Sequence, residues 1–224
     1  MVTWVLDLWP ESVVSTTRLK KGFIINRLEN ASKCLYSESD AILISSRSFI
    51  SPLKKRFVPE NKIVYFPNWA DEIFELGKKE KQFSKLPIGF NVVFAGNFGE
   101  SQDFKNIIEA IKLISKAEGI NFVFVGSGRF ELELKRLVRE NKLEHVFVYS
   151  QHSMDYMPSL YQQASAMLLT LKGGGEISNT VPAKLQTYMS CSKAVLAMID
   201  GEANFIINEA KCGLVANAGD FKTL

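Results

Sequence analysis

A lysine stands where a helix dipole should repel it. Residues 173–190 read Gly173-Gly-Gly-Glu176-Ile-Ser178-Asn179-Thr180-Val181-Pro182-Ala183-Lys184-Leu-Gln-Thr187-Tyr188-Met189-Ser190. A glycine-rich loop runs into polar residues suited to capping. Pro182 then opens a helix, where its missing N–H does no harm. Lys184 falls in the first turn, at the positive end of the dipole. Local rules broken in this way are expected at functional sites. A bound diphosphate would reconcile the pieces, with helix N–H groups and the ammonium sharing its oxygens. A Lys184 simply solvated by water is the competing reading.

Two further turns have the same character. Gly96-Asn97-Phe98-Gly99-Glu100-Ser101-Gln102 follows the apolar run Val92–Ala95 and precedes a helical stretch. Glycines there let backbone N–H groups reach a phosphate; a tight turn before a helix fits equally well. Gly126-Ser127-Gly128-Arg129 again lies between strand and helix. Arg129 reads either as an anion contact or as an exposed, unpaired cation. Neither turn carries G-x-G-x-x-G, so a nicotinamide-dependent dehydrogenase is not expected. The two histidines, His145 and His152, and the cysteines Cys34, Cys191 and Cys212 match no metal-ligand spacing. No metal or cofactor is expected, and the thiols read as free in a reducing compartment.

The elements that must position these residues are α/β in pattern. Strands are expected at Trp4–Leu6, Ala41–Ile44, Ile63–Phe66, Val92–Ala95, Phe122–Val125, Val146–Tyr149, Ala166–Leu171 and Ala194–Ala197. They run without polar alternation, as parallel strands covered on both faces do. Helical stripes alternate with them: Ile24, Leu28, Ala31 and Leu35; Phe104, Ile107, Ile108, Ile111 and Ile114; Phe130, Leu134, Leu137 and Val138. Trp9 reads as a core residue. A polar segment bounded by glycine and proline marks 75–87 as a linker between 1–74 and 88–224. The second part is long enough for a nearly complete doubly wound domain. The first, with three strands, reads as the C-terminal part of a larger one.

Composition sets the outer limits. The 224 residues carry 27 Lys+Arg against 24 Asp+Glu, and 46% are hydrophobic. Disorder and fibrous repetition are excluded. A net charge of +3 allows an anionic ligand or membrane surface without calling for nucleic acid. No apolar run approaches a membrane span, and the start lacks the basic flank of a secretory signal. A cytoplasmic protein is the expectation. Arg18, Lys20 and Lys21 beside Phe23, Ile24 and Ile25, or Lys54-Lys55-Arg56, could touch anionic lipid as a peripheral patch; a solvated basic face is the alternative.

Five ordered segments resemble family 4 glycosyltransferases. They are Val5-Leu-Asp7-Leu-Trp9-Pro10-Glu11-Ser12; Ser45-Ser46-Arg47-Ser48-Phe49; Ile63-Val-Tyr-Phe-Pro67-Asn68-Trp69-Ala70-Asp71; Gly96 to Gln102; and Thr180 to Met189. The last two look like a branch that builds O-antigen or capsule and includes L-N-acetylfucosaminyl transferases. The resemblance implies a GT-B fold of two Rossmann-like domains, the first incomplete here. It implies metal-independent, retaining transfer of a sugar, such as an N-acetylated amino-deoxyhexose, from a UDP-sugar to a polyprenyl-diphosphate-linked saccharide. Lys184 would meet the departing diphosphate with Gly96, Asn97, Gly99, Gln102, Gly126, Gly128, Arg129, Thr180 and Pro182 around it. Ser150, Gln151 and His152 would lie against uracil. Asp7 and Glu11 would lie near the acceptor.

Departures accompany the resemblance. Asn97 and Gln102 stand where many members have Arg and Lys. The family's paired glutamates would fall at Asn179 and Thr187, which leaves Glu176 and Glu202 as substitutes for holding ribose and sugar. A UDP-N-acetylhexosamine epimerase and a non-catalytic remnant are the other functions that the same scaffold admits.

Overall fold

Every apolar run named above becomes a parallel strand, its bounds shifted by no more than two residues, and a ninth strand joins them. The computed structural model describes residues 1–16, 22–74, 81–114 and 118–224, without the side chains of Ser15, Thr16, Glu176 and Ile177. Two units are present. One comprises Met1–Asn68, Gly173–Pro182 and Gly201–Ala203; the other comprises Trp69–Lys172, Ala183–Asp200 and Asn204–Leu224.

The first unit contains β1 (Val2–Val5), α1 (Glu11–Thr16), α2 (Phe23–Glu38), β2 (Ala41–Ile44), α3 (Ile50–Lys55) and β3 (Ile63–Tyr65). Its three strands lie in the order β1-β2-β3, all parallel. Val5, Ile42 and Ile44 form one buried sheet face, packed with Leu8, Tyr36, Phe49, Leu53 and Val58. On α2, Ile25, Ser32 and Tyr36 are buried, spaced seven and four residues apart on one side of the helix. Arg56 ties the helices together. Its Nη2 donates to Glu11 Oε1 and, at 2.8 Å, to Glu29 Oε2, while Nε donates to Glu29 Oε1 at 3.1 Å.

In the same unit Gly201, at φ +71°, passes so close to Ser178 that an added Cβ would lie 1.9 Å from the Ser178 carbonyl oxygen. Beside it the Glu202 carboxylate is taken up completely: Arg47 Nε donates to Oε1 at 2.8 Å, and Ser48 N and Oγ donate to Oε2 at 3.1 and 2.9 Å.

The second unit contains β4 (Phe90–Asn97), α4 (Phe104–Lys112), β5 (Ile120–Ser127), α5 (Glu131–Glu140), β6 (Val146–Tyr149), α6 (Met157–Gln163), β7 (Ala166–Thr170), α7 (Ala183–Ser190), β8 (Ala194–Met198), α8 (Gly201–Ala210) from Asn204 onward, and β9 (Gly213–Ala216). The strand order is β6-β5-β4-β7-β8-β9, all parallel. The chain winds outward from β4 to β6, then returns to β4's other side at β7. That reversal makes a switch point between β4 and β7, and ligands of such sheets bind at the carboxyl ends of the strands there. The core is dense in aromatics: Phe94, Phe98, Phe104 and Phe124 meet edge-on or tilted, 5.0–6.2 Å apart.

Of the segment read as a linker, residues 75–80 lie outside the described residues. Residues 81–87 are fastened to this unit. Lys81 N donates to the Asp155 carbonyl and Phe83 N to Ser159 Oγ. Phe83 is buried, against Tyr149 and His152.

Candidate functional site

A pocket of about 600 Å³ opens in the second unit at the carboxyl ends of β4 and β5. Ala95, Gly96 and Asn97 line it from β4, and Val125, Gly126 and Ser127 from β5. Gln151 and His152 enter from the loop after β6, and Ala183, Lys184 and Thr187 from the start of α7. Phe74, Met154, Met157 and Tyr161 complete an apolar wall.

Helix α7 is held by Leu185 and Tyr188, both fully buried. Anchoring those two residues turns the adjoining stripe, Ala183, Lys184 and Thr187, to the pocket. The Lys184 Nζ lies 3.8 Å from the centroid of the Phe94 ring and donates a long hydrogen bond, 3.4 Å, to Gln102 Oε1. No carboxylate pairs with it among the described residues, and burial alone pushes its pKa down to about 7. Gly96, at φ +135°, makes room for it: an added Cβ would lie 2.8 Å from Lys184 Cε and 3.0 Å from Nζ. Gln102 is fixed by its backbone, its N–H donating to the Gly99 carbonyl and its carbonyl accepting from Thr170 Oγ1 at 2.9 Å.

The glycines after β5 admit a neighbouring stretch of backbone. A Cβ at Gly126 would lie 1.9 Å from the Gly96 carbonyl oxygen. One at Gly128 would lie 2.5 Å from the Phe98 carbonyl oxygen and 2.6 Å from Asn97 Oδ1. Phe98 N donates to the Ser127 carbonyl, and Phe130 N to the Phe98 carbonyl. The space that a side chain would take at these glycines is therefore filled by the neighbouring loop. Gly126 still lines the pocket; Gly128 does not.

Other expected residues fall elsewhere. Arg129 is exposed and off the pocket, and α5 begins two residues later at Glu131, so Arg129 does not oppose a first-turn dipole. Ser150 contributes its carbonyl, which lies 2.9 Å from His152 Nδ1, and it does not line the pocket. Gly99 also lies off it, ahead of the short turn Glu100–Gln102. Thr180, Pro182, Glu202 and Asp7 belong to the first unit. Glu202 is committed to Arg47 and Ser48. Asp7 is exposed in the bend after β1. Glu11 pairs with Arg56 through Oε1, while its Oε2 is buried without a hydrogen-bond partner. The Glu176 side chain, with Arg18, Lys20 and Lys21, lies outside the described residues. Trp9 is 49% exposed rather than core.

The basic patch is likewise reduced. Lys54 pairs with Glu60, and Arg56 is buried between Glu11 and Glu29. No helix among the described residues is long and apolar enough to cross a membrane, and no cluster of three His, Cys, Asp or Glu could hold a metal.

Sequence reasoning missed Phe74, Met154, Met157 and Tyr161. Phe74 stacks on Tyr161 at 5.3 Å and 8° between planes, a pairing of residues 87 apart in the chain. No local pattern encodes that.

The family model for glycosyl transferases group 1 matches residues 78–224. The chain belongs to the group 1 glycosyl transferases. Among curated relatives of this transferase family it is similar to the probable glycosyltransferase WbjE of Pseudomonas aeruginosa, 28% identical over 221 residues, covering 94% of this chain and 55% of WbjE. It is also similar to the putative colanic acid biosynthesis glycosyl transferase WcaI of Escherichia coli strain K12, 23% identical over 158 residues, covering 67% of this chain and 38% of WcaI. The chain thus spans about half the length of the curated relatives it matches. In fold it resembles Anabaena Alr3699/HepE, solved in complex with UDP, with a TM-score of 0.75 at 14% identity over 99% of this chain and 59% of that one. It resembles WaaG, a glycosyltransferase involved in lipopolysaccharide biosynthesis, with a TM-score of 0.70 at 14% identity over 96% of this chain and 61% of that one. These likenesses agree with the α/β, GT-B-like class read from the sequence.

Proposed function

We propose that the chain carries the donor side of a retaining glycosyltransferase of bacterial surface polysaccharide synthesis. The donor is a UDP-sugar, here an N-acetylated amino-deoxyhexose, and the acceptor a saccharide on a polyprenyl diphosphate at the cytoplasmic membrane face. Residues 88–224 hold the donor, and residues 1–74 belong to the acceptor side, with Asp7 near the accepting hydroxyl and Glu176 near the sugar.

The observation that carries this reading is the Lys184 ammonium, half-buried at the start of α7 with no carboxylate paired to it among the described residues. Burying a cation unpaired is costly, and an incoming diphosphate removes that cost. As the anomeric C–O bond breaks, its electron pair leaves with UDP. Lys184 and the N–H groups at the helix start meet that charge where it develops. The acceptor oxygen bonds to the anomeric carbon on the face the diphosphate leaves, and its proton passes to the departing diphosphate oxygen. Gln151 and His152 line the end of the pocket assigned to uracil.

Calorimetric titration with UDP tests the assignment. Lys184→Ala weakens binding at least about tenfold, as expected for a charge-assisted contact. Equal affinities with and without Lys184 would overturn the site. Transfer to a lipid-linked saccharide, against interconversion of free UDP-sugars, separates transferase from epimerase.

A further inference from the structure

Residues 81–86 are bonded to α6 and the turn before it at regular intervals. Lys81 N donates to the Asp155 carbonyl at 2.9 Å, Phe83 N to Ser159 Oγ at 3.1 Å, and Leu86 N to Gln163 Oε1 at 3.1 Å. Asp155, Ser159 and Gln163 are four residues apart. They mark successive turns along one face, from the short turn Met154–Tyr156 through α6. Side chains reinforce the first of the three points: Lys81 Nζ pairs with Asp155 Oδ2 at 2.6 Å and lies 5.3 Å from the centroid of the Tyr156 ring.

Phe83 is the buried residue of this segment. Its ring centroid lies 4.8 Å from that of His152 and 5.7 Å from that of Tyr149. His152 is held from two more directions. Tyr156 meets it edge-on at 5.4 Å, and its Nδ1 lies 2.9 Å from the Ser150 carbonyl oxygen. Gln151, His152, Ser153 and Met154 line the Lys184 pocket, whereas Phe83 and Lys81 do not. Residues 150–153 belong to no helix or strand, so no backbone ladder fixes their shape. Ordering such a loop around a ligand costs affinity unless packing has ordered it beforehand.

We infer that residues 81–86 form a strap that sets the base end of the donor pocket, with Phe83 as the positioning residue for His152 and its loop. The inference rests on the assignment of UDP to the Lys184 pocket.

The test compares the unaltered chain with Phe83→Ala, Phe83→Leu and Lys81→Ala, by calorimetric titration with UDP and by hydrogen–deuterium exchange. Phe83→Ala should weaken UDP binding about tenfold. Exchange over 150–156 should quicken while 183–190 keeps its protection. Phe83→Leu refills the space and should recover most of the affinity. Lys81→Ala removes an exposed side chain and should give a loss of about twofold in the same direction, readable even if Phe83→Ala does not fold. Unchanged UDP affinity in Phe83→Ala, or in Lys81→Ala should the first variant not fold, overturns the inference and leaves the UDP assignment standing. So does exchange that quickens equally over 183–190, which marks a general loosening. If the unaltered chain does not bind UDP, the UDP assignment itself fails and takes the inference with it.

Discussion

The ammonium of Lys184 lies 3.8 Å from the centroid of the Phe94 ring. A ring face attracts a cation, yet it compensates burial only in part. The result is a lysine whose pKa sits at about 7 instead of its ordinary 10.5.

On the proposed placement of the diphosphate at Lys184, UDP affinity should depend on pH in a defined way. The diphosphate needs the protonated amine. Below pH 7 that form prevails, and affinity rises as the terminal phosphate gains its second charge near pH ~6. Above pH 7 the free protein loses the proton, and affinity falls by up to about tenfold per pH unit. A titration series from pH 5.5 to 9 should show a maximum between about 6 and 7. The falling limb should vanish in Lys184→Ala.

Removing the amine stabilises the fold. Because the folded pKa is depressed, the unfolded chain binds more protons between pH 7 and 10.5, so stability rises with pH across that window. The penalty is fully present below pH 7 and absent above 10.5. Lys184→Met keeps the stem and drops the charge. Its melting temperature at pH 6 should exceed that of the parent by about 3 °C, for roughly 1 kcal/mol relieved. The difference should shrink toward zero by pH 10.

Two glycines of the second unit separate backbone strain from collision. At Gly119, φ is +71° and nothing lies within 4 Å of an added Cβ. Gly119→Ala should cost about 1 kcal/mol of left-handed strain. At Gly126 the Gly96 carbonyl oxygen lies 1.9 Å from the added atom. Gly126→Ala should cost several times as much and weaken UDP binding, since Gly96 must move. Thermal melts and UDP titrations of the two variants check both points.

Arg56 should be the residue of the first unit least tolerant of truncation. Arg56→Ala leaves Glu11 and Glu29 facing each other with Lys33, 3.6 Å from Glu29 Oε1, as a remaining cation beside them. Loss of one partner of a buried pair costs about 3–5 kcal/mol, and less here because both glutamates are partly solvated. Urea unfolding followed by tryptophan fluorescence should show the drop. Adding Glu11→Gln to that variant should recover part of it.

The strands were legible because parallel, doubly covered strands are continuous apolar runs, and eight such runs are present. β9 was not, because Gly213–Ala216 is four residues long and opens on glycine. Lys184 announced itself by breaking a local rule. The roles of Gly126 and Gly128 did not, because a glycine that admits a ligand and one that admits a neighbouring loop look alike in sequence. Phe83 sat in a charge-dense stretch whose average polarity hid one buried ring. Arg56 read as a surface cation because its partners, Glu11 and Glu29, come from distant positions in the chain.

Phe98 has a practical consequence for exchanging specificity between enzymes of this kind. Its amide and carbonyl are both bonded into the turn after β5, and Gly126 and Gly128 fit against the strand end and turn that carry it. Residues 96–99 and 126–130 thus form one interlocked cassette. A graft that transplants either turn from a homologue without the other would bring mismatched backbones into register, so chimaeras should carry both or neither.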